Sequence, residues 1–227
     1  MYAVTAFAQS YFSKILIESE EGKNIGLSYF KERGFTDESI ERFHLGYSPD
    51  EWIALTNAAI DAGFQKEFLV STGLPIEKGD KIFDRFKGRI MFPIHSMSGR
   101  VTGFGGRILK QDKQAAKYMN SPESEVYQKS KMLYGLYQAK QHIAKESNCY
   151  LVEGYTDVIQ MHQAGIQNVV SSSGTALTPD QVRLIRRLTN TITLLFDGDA
   201  AGIRAAIRGV DVILEAGMHV SICTFPA

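Results

Sequence analysis

No apolar run in this chain approaches the roughly 18–20 residues that cross a bilayer, and the N-terminus lacks a basic stretch followed by a clean apolar one. A membrane span, a cleaved leader and a membrane partner are therefore not expected, and the expected location is cytoplasmic. Cysteine is scarce. Cys149 and Cys223 are the two present, without CxxC spacing and too few for a disulfide framework, so both are expected to be buried free thiols. His95, His142, His162 and His219 share no ligand spacing and His44 lies in an apolar, helix-like stretch, so no histidine metal site is expected. An excess of either charge is missing too, with 25 Lys+Arg against 25 Asp+Glu. What is present is 44% hydrophobic residues over 227 positions, enough to bury a core in one large domain or two small ones.

The balanced charge hides a segregation. Residues 1–77 hold 6 Lys+Arg against 12 Asp+Glu, residues 78–145 hold 14 against 5, and residues 146–227 hold 5 against 8. A basic middle third suits a polyanion, though charge alone equally describes a solvated cationic face.

From Tyr2 to about Leu74 the pattern predicts helices, including Ala3–Ile17 and Trp52–Ala62, separated by turn signals at Gly34 and Ser48-Pro49. From Arg85 to Leu109 the chain changes to strands, and Arg89–His95 and Val101–Ile108 around a Ser96–Gly99 turn predict a hairpin, with Pro93 favouring an edge position. Residues 110–130 read as a polar loop, and a helix is expected from about Leu133 to Lys145. The last third alternates strands and helices. Strand Tyr150–Glu153, helix Thr156–Ala164 ended by Gly165, and strand Asn168–Ser172 come first. Helix Pro179–Leu188 follows, opened by a Thr178 cap with Gln181 three residues on. Strand Thr191–Phe196, helix Ala200–Ala216 ended by Gly217, and strand His219–Phe225 complete it. This alternation predicts a parallel sheet with crossover helices.

Parallel strands send their C-terminal ends to one edge, where open α/β sheets bind ligands. That rule brings Glu153 and Asp197-Gly198-Asp199 together, and such a cluster of hard oxygen donors suits Mg²⁺. Asp197 and Asp199, two apart in an extended segment, point the same way, and the amides opening the next helix favour phosphate. Asp157 stands on the first turn of its helix, either as a further ligand or as a charge favouring that helix end. In the basic third, Arg107 and Lys117 suit phosphate, Gly105 and Gly106 allow close backbone approach, and Tyr118 offers a stacking face, while Phe92 and Phe104 read as core.

Glu153-Gly154-Tyr155-Thr156-Asp157 after one hydrophobic strand, and Asp197-Gly198-Asp199-Ala200-Ala201-Gly202 after another, resemble the Toprim module shared by primases, topoisomerases and some nucleases. Arg89–Ile94, Gly103–Arg107, Lys117–Glu123 and Leu133-Tyr134-Gly135-Leu136 resemble, in order, the basic motif of bacterial DnaG-type replicative primases. The likeness runs from roughly Tyr29 to the C-terminus. It implies an α/β catalytic core: an α+β N-terminal subdomain over residues 1–145 binding template and nucleotide, then a Rossmann-like Toprim sheet with flanking helices over residues 146–227, cut short at its C-terminal end. The implied activity is a DNA-directed RNA polymerase of the primase type, making short RNA primers from NTPs on single-stranded DNA at the replication fork.

The same resemblance implies Mg²⁺, with Mn²⁺ able to substitute, held by Glu153, Asp197 and Asp199 with Asp157 assisting, and Glu153 as general base. It gives Arg33, Arg89, Arg107, Lys117, Tyr118, Asn120 and Lys129 to nucleic acid or nucleotide. Two departures stand out. The family's N-terminal zinc domain is missing, so zinc is expected only outside this chain. The sequence also stops at Phe225-Pro226-Ala227, where the family continues into an Asp-Pro-Asp motif and helical parts that carry the helicase contact, so both ends are expected to be cut. A topoisomerase or nuclease would use the same acids to break a phosphodiester, but a topoisomerase needs a tyrosine nucleophile on a further domain. A non-catalytic Toprim DNA-binding protein would have no need of the intact acids.

Overall fold

The computed structural model describes residues 1–109 and 116–224. The six residues 110–115 of the expected loop, and Phe225 at the end of the expected last strand, lie outside the described residues. The chain forms two compact units, the first of residues 1–94 and 100–129, the second of residues 95–99 and 130 onward.

The first unit opens with helix α1 (Tyr2–Glu18), a π-helical turn (Gly22–Leu27), α2 (Ser28–Glu32) and α3 (Asp37–Arg42). Strand β1 (Gly46–Ser48) precedes α4 (Ala54–Asp61) and α5 (Lys66–Ser71). The start of α3 is local: the Thr36 side chain accepts a hydrogen bond from the Ser39 amide, with Asp37 and Glu38 in the first turn. The start of α4 is not, because no side chain at its own N-cap bonds the helix. Antiparallel β2 (Pro75–Lys78) and β3 (Lys81–Asp84) supply the missing acceptor. The buried Asp84 carboxylate accepts the Leu55 amide at 2.7 Å, the Thr56 amide at 3.1 Å and the Thr56 hydroxyl. Burial pushes this carboxyl above the usual carboxylate range, and these hydrogen bonds oppose the shift.

Strands β4 (Arg89–His95), β5 (Val101–Ile108) and β6 (Tyr118–Asn120) join β1 in a sheet of order β1-β4-β5-β6. Pro93 is therefore on an interior strand, contrary to the edge expectation. The strand tolerates it because the pairing with β1 covers only Arg89–Met91, leaving Pro93 beyond the end of that partner. Phe12, Leu55, Phe86, Met91 and Phe104 belong to the core of this unit.

The second unit contains α6 (Leu136–Glu146), β7 (Cys149–Val152), α7 (Tyr155–Gln163), β8 (Val169–Ser171), α8 (Pro179–Arg186), β9 (Thr191–Phe196), α9 (Ala200–Glu215) and β10 (His219–Thr224). All strand pairs are parallel, in the order β10-β9-β7-β8. The expected capping box is present: Thr178 Oγ1 accepts the Gln181 amide and Gln181 Oε1 accepts the Thr178 amide. Helix α6 starts three residues later than expected, since Tyr134 forms a bridge to Ser171 at β8 with hydrogen bonds in both directions. Leu136, Ile143, Leu151, Leu194, Ala206 and Ile213 lie in the core of this unit. Cys149 is fully buried, and burial pushes its thiol up. Cys223 is exposed, correcting the expectation of two buried thiols, because β10 forms an edge of the sheet and lacks a neighbour on one side.

Candidate active site

The order of the parallel sheet locates its binding edge. From β7 the chain crosses to β8 on one side, then returns to β9 on the other, so the connections diverge between β7 and β9. Ligands of open α/β sheets bind at the C-terminal ends of strands flanking such a switch point. Glu153 immediately follows β7, and Asp197 immediately follows β9. The Asp197 amide donates to Glu153 Oε1 at 3.1 Å, so residues 44 positions apart in sequence meet directly. The Glu153 backbone is tied from β8, where Ser171 Oγ donates to its carbonyl at 2.8 Å.

Asp199 is turned otherwise than expected. Its Oδ1 accepts the amides of Ala201 at 2.9 Å and Gly202 at 2.7 Å, making it the N-cap of α9. Two amides that the sequence offered to phosphate are thereby occupied. Among the described residues no group of three His, Cys, Asp or Glu side chains is arranged to hold a metal ion. The expected meeting of three carboxylates is thus reduced to Glu153 beside the Asp197 backbone, since capping draws Asp199 toward its own helix. Asp157 is likewise engaged, its Oδ2 accepting the Gly154 amide at 2.9 Å at the start of α7.

The donor set nevertheless fits Mg²⁺. All candidates are hard carboxylate oxygens; Asp197 and Asp199 are exposed, and Glu153 and Asp199 each keep one oxygen without a hydrogen bond among the described residues. Mg²⁺ commonly uses one or two carboxylates and completes its shell with water and substrate phosphates, so an open arrangement suits it better than a closed cage. Gly202 keeps that space: a Cβ there would lie 2.3 Å from the Asp197 carbonyl oxygen and 3.0 Å from Glu153 Oε1. A cleft of about 260 Å³ adjoins, lined by Glu153, Thr175, Phe196, Gly202, Ala205 and Arg208 among others. A larger cleft of about 390 Å³ lined by His142, Asn148 and Asn168 lies at the N-terminal ends of β7 and β8, the edge that such sheets do not use.

In the first unit two of the cationic candidates, Arg33 and Arg107, flank a tyrosine that was not among the expected site residues. The Tyr29 ring lies 5.2 Å from the Arg33 guanidinium and 5.1 Å from that of Arg107, within cation–π range of both. Arg107 and Tyr118 are cross-strand partners on β5 and β6, with Arg107 Nη1 donating to Tyr118 Oη at 2.7 Å. Burial pushes the Tyr29 hydroxyl up to about 12, so it stays protonated at neutral pH. Tyr29 stands four residues before Arg33, one helical turn, and that spacing is the signal that could have singled it out. Lys117 is exposed and makes no ion pair among the described residues, whereas Asn120 and Lys129 are half-buried. Burial lowers the Lys129 ammonium from its ordinary value. Arg89 is buried, its guanidinium donating to the carbonyls of Gly106 and Ala116, and burial lowers its pKa. It braces β5 against the entry to β6.

Residues 11–140 match the family model described as DNA primase catalytic core, N-terminal domain, and residues 150–227 match one described as Toprim-like. The chain belongs to the DNA primase family. It is 42% identical to the DNA primase of Halalkalibacterium halodurans over 100% of its own length and 38% of that relative's. The crystal structure of the RNA polymerase domain of Mycobacterium tuberculosis primase DnaG superposes with a TM-score of 0.91 at 34% identity, over 99% of this chain and 75% of that one. A DnaG primase catalytic domain bound to single-stranded DNA superposes with a TM-score of 0.88 at 35% identity, over 99% and 70% of the two chains. The clustered cations and aromatics belong to the first unit, and the carboxylates at the switch point to the second.

Proposed function

We propose that this chain is the part of a primase that joins ribonucleotides into a short RNA primer on a single-stranded DNA template. The observation that carries this reading is the Asp197 amide on Glu153 Oε1, which sets two acid-bearing loops together at the sheet's switch point in a member of the primase family. Glu153, Asp197 and Asp199 are the residues that would hold Mg²⁺, or Mn²⁺ in its place, with Asp157 supporting the Glu153 loop. When bound, the metal supplies neutralisation of the nucleotide phosphates and lowers the cost of an attacking 3′-oxyanion. Glu153 accepts the proton of the 3′-hydroxyl as general base. Arg33, Arg107, Lys117, Asn120 and Lys129 hold template and nucleotide by charge and hydrogen bonds, and Tyr118 stacks on a base. Arg89 acts through the strands that it braces.

The solved relative bound to single-stranded DNA supports a DNA partner for this chain, and NTPs and the growing RNA are its further ligands. The test is synthesis of labelled oligoribonucleotides from NTPs by the full-length protein. Product that requires both a single-stranded template and Mg²⁺ or Mn²⁺ is expected. Product formed without template contradicts the reading.

A further inference from the structure

Phosphate needs a donor at the carboxylate edge, and the most obvious one is taken. The amides of Ala201 and Gly202 at the start of α9 already bond Asp199. The adjoining cleft holds one cation among its lining residues, Arg208. Arg208 is exposed, and among the described residues no hydrogen bond or ion pair engages its guanidinium. Ala201, Ala205 and Arg208 share one face of α9 at helical spacing, so two small side chains leave open the path from the arginine to Glu153. Across the cleft, the Ser172–Thr175 loop is closed by two reciprocal hydrogen bonds, Ser172 Oγ to Thr175 O and Thr175 Oγ1 to Ser172 O, both 2.7 Å. Ser173 and Gly174 within it lie in the left-handed region.

We infer that Arg208 and this cleft bind the pyrophosphate portion of a nucleoside triphosphate. A guanidinium at one end and a metal-competent carboxylate at the other suit a chain of anionic oxygens, and Arg matches phosphate through two parallel N–H donors. At about 260 Å³ the cleft falls below the roughly 300–1,000 Å³ of pockets that enclose a whole small-molecule ligand, so it takes part of a nucleotide. The choice of a nucleotide rests on the primer-synthesis reading above. Phosphodiester oxygens of the template share the chemistry, and the experiment separates the two sources.

The 227-residue chain and its Arg208→Gln and Arg204→Gln variants are titrated with inorganic pyrophosphate, ATP, adenosine and a single-stranded oligothymidylate, in EDTA and again in Mg²⁺. Arg208→Gln is expected to weaken pyrophosphate and ATP roughly tenfold, the scale of a charge-assisted hydrogen bond, and to leave adenosine and the oligonucleotide unchanged. Arg204→Gln, on the same helix but outside the cleft lining, should change none of them. Unaltered pyrophosphate affinity in Arg208→Gln, or a loss confined to the oligonucleotide, overturns the inference. If Mg²⁺ binding by the parent chain is intact in that outcome, the proposed function stands without it. Conversely, a parent chain that binds no Mg²⁺ but still discriminates pyrophosphate through Arg208 contradicts the proposed metal site and supports this one.

Discussion

Asp199 caps α9 and is proposed to hold Mg²⁺, two roles that a pair of substitutions separates. Its Oδ1 caps α9 through the Ala201 and Gly202 amides, while the second carboxylate oxygen is left for a metal. Asparagine presents the same carbonyl oxygen to those amides and caps about as well as aspartate, so Asp199→Asn should cost only a few tenths of a kcal/mol. Alanine removes the acceptor and leaves both amides uncapped, a loss of about 1 kcal/mol. For a chain of this size that lowers Tm by roughly 2–4 °C. The metal responds differently, since both variants lose the same negative charge. Mg²⁺ affinity should fall about tenfold in each, because ligand charge sets affinity at such sites. Far-ultraviolet circular dichroism on heating measures the first effect and calorimetric titration the second. An Asp199→Asn chain with parental Tm and parental Mg²⁺ affinity would refute the reasoning, leaving Asp199 as a helix cap and nothing more.

Gly202→Ala gains helix propensity of roughly 1 kcal/mol but drives a methyl onto the Asp197 carbonyl oxygen at 2.3 Å, so net destabilisation of about 1–3 kcal/mol is expected. A denaturant midpoint at or above the parent's contradicts that packing. Asp84→Ala strands the Leu55 and Thr56 amides in a buried place and should cost roughly 1–3 kcal/mol in denaturant unfolding; a change within about 0.5 kcal/mol, the range of ordinary surface substitutions, rules out the cap from β3. Lys117→Ala and Arg107→Ala should each weaken single-stranded DNA binding about equally for all sequences and make the slope of log affinity against log salt shallower by roughly 0.7. Unchanged slopes, or an equal change in Lys66→Ala from the acidic first segment, remove the basic third from the template.

Much of the second unit was legible because its signals are local. The Thr178-Pro179-Asp180-Gln181 start, the Thr191–Phe196 strand and the glycines ending α7 and α9 each depend on neighbours within a turn, and each stands where the pattern put it. The order β10-β9-β7-β8 was not legible, since it is settled by pairings between distant strands. Yet that order is what brings Glu153 beside Asp197. Asp199 shows the limit in another way: Asp-Gly-Asp before a helix reads equally as ligand pair and as N-cap, and only the Oδ1 contacts reveal the cap. Arg89 is indistinguishable in sequence from a phosphate-binding cation, because its burial follows from the packing of β4 against β5. Pro93 and Cys223 fail for one reason, that the edge or interior position of a residue belongs to the sheet and not to its strand.

Glu153, as the proposed general base, is the residue placed at the reacting atoms. Glu153→Gln keeps the side-chain oxygen that accepts the Asp197 amide and removes only the charge and the basic site. In the full-length protein this variant should retain its fold and its single-stranded DNA affinity while primer synthesis from NTPs falls to background. Near-parental primer yield from Glu153→Gln would contradict the account.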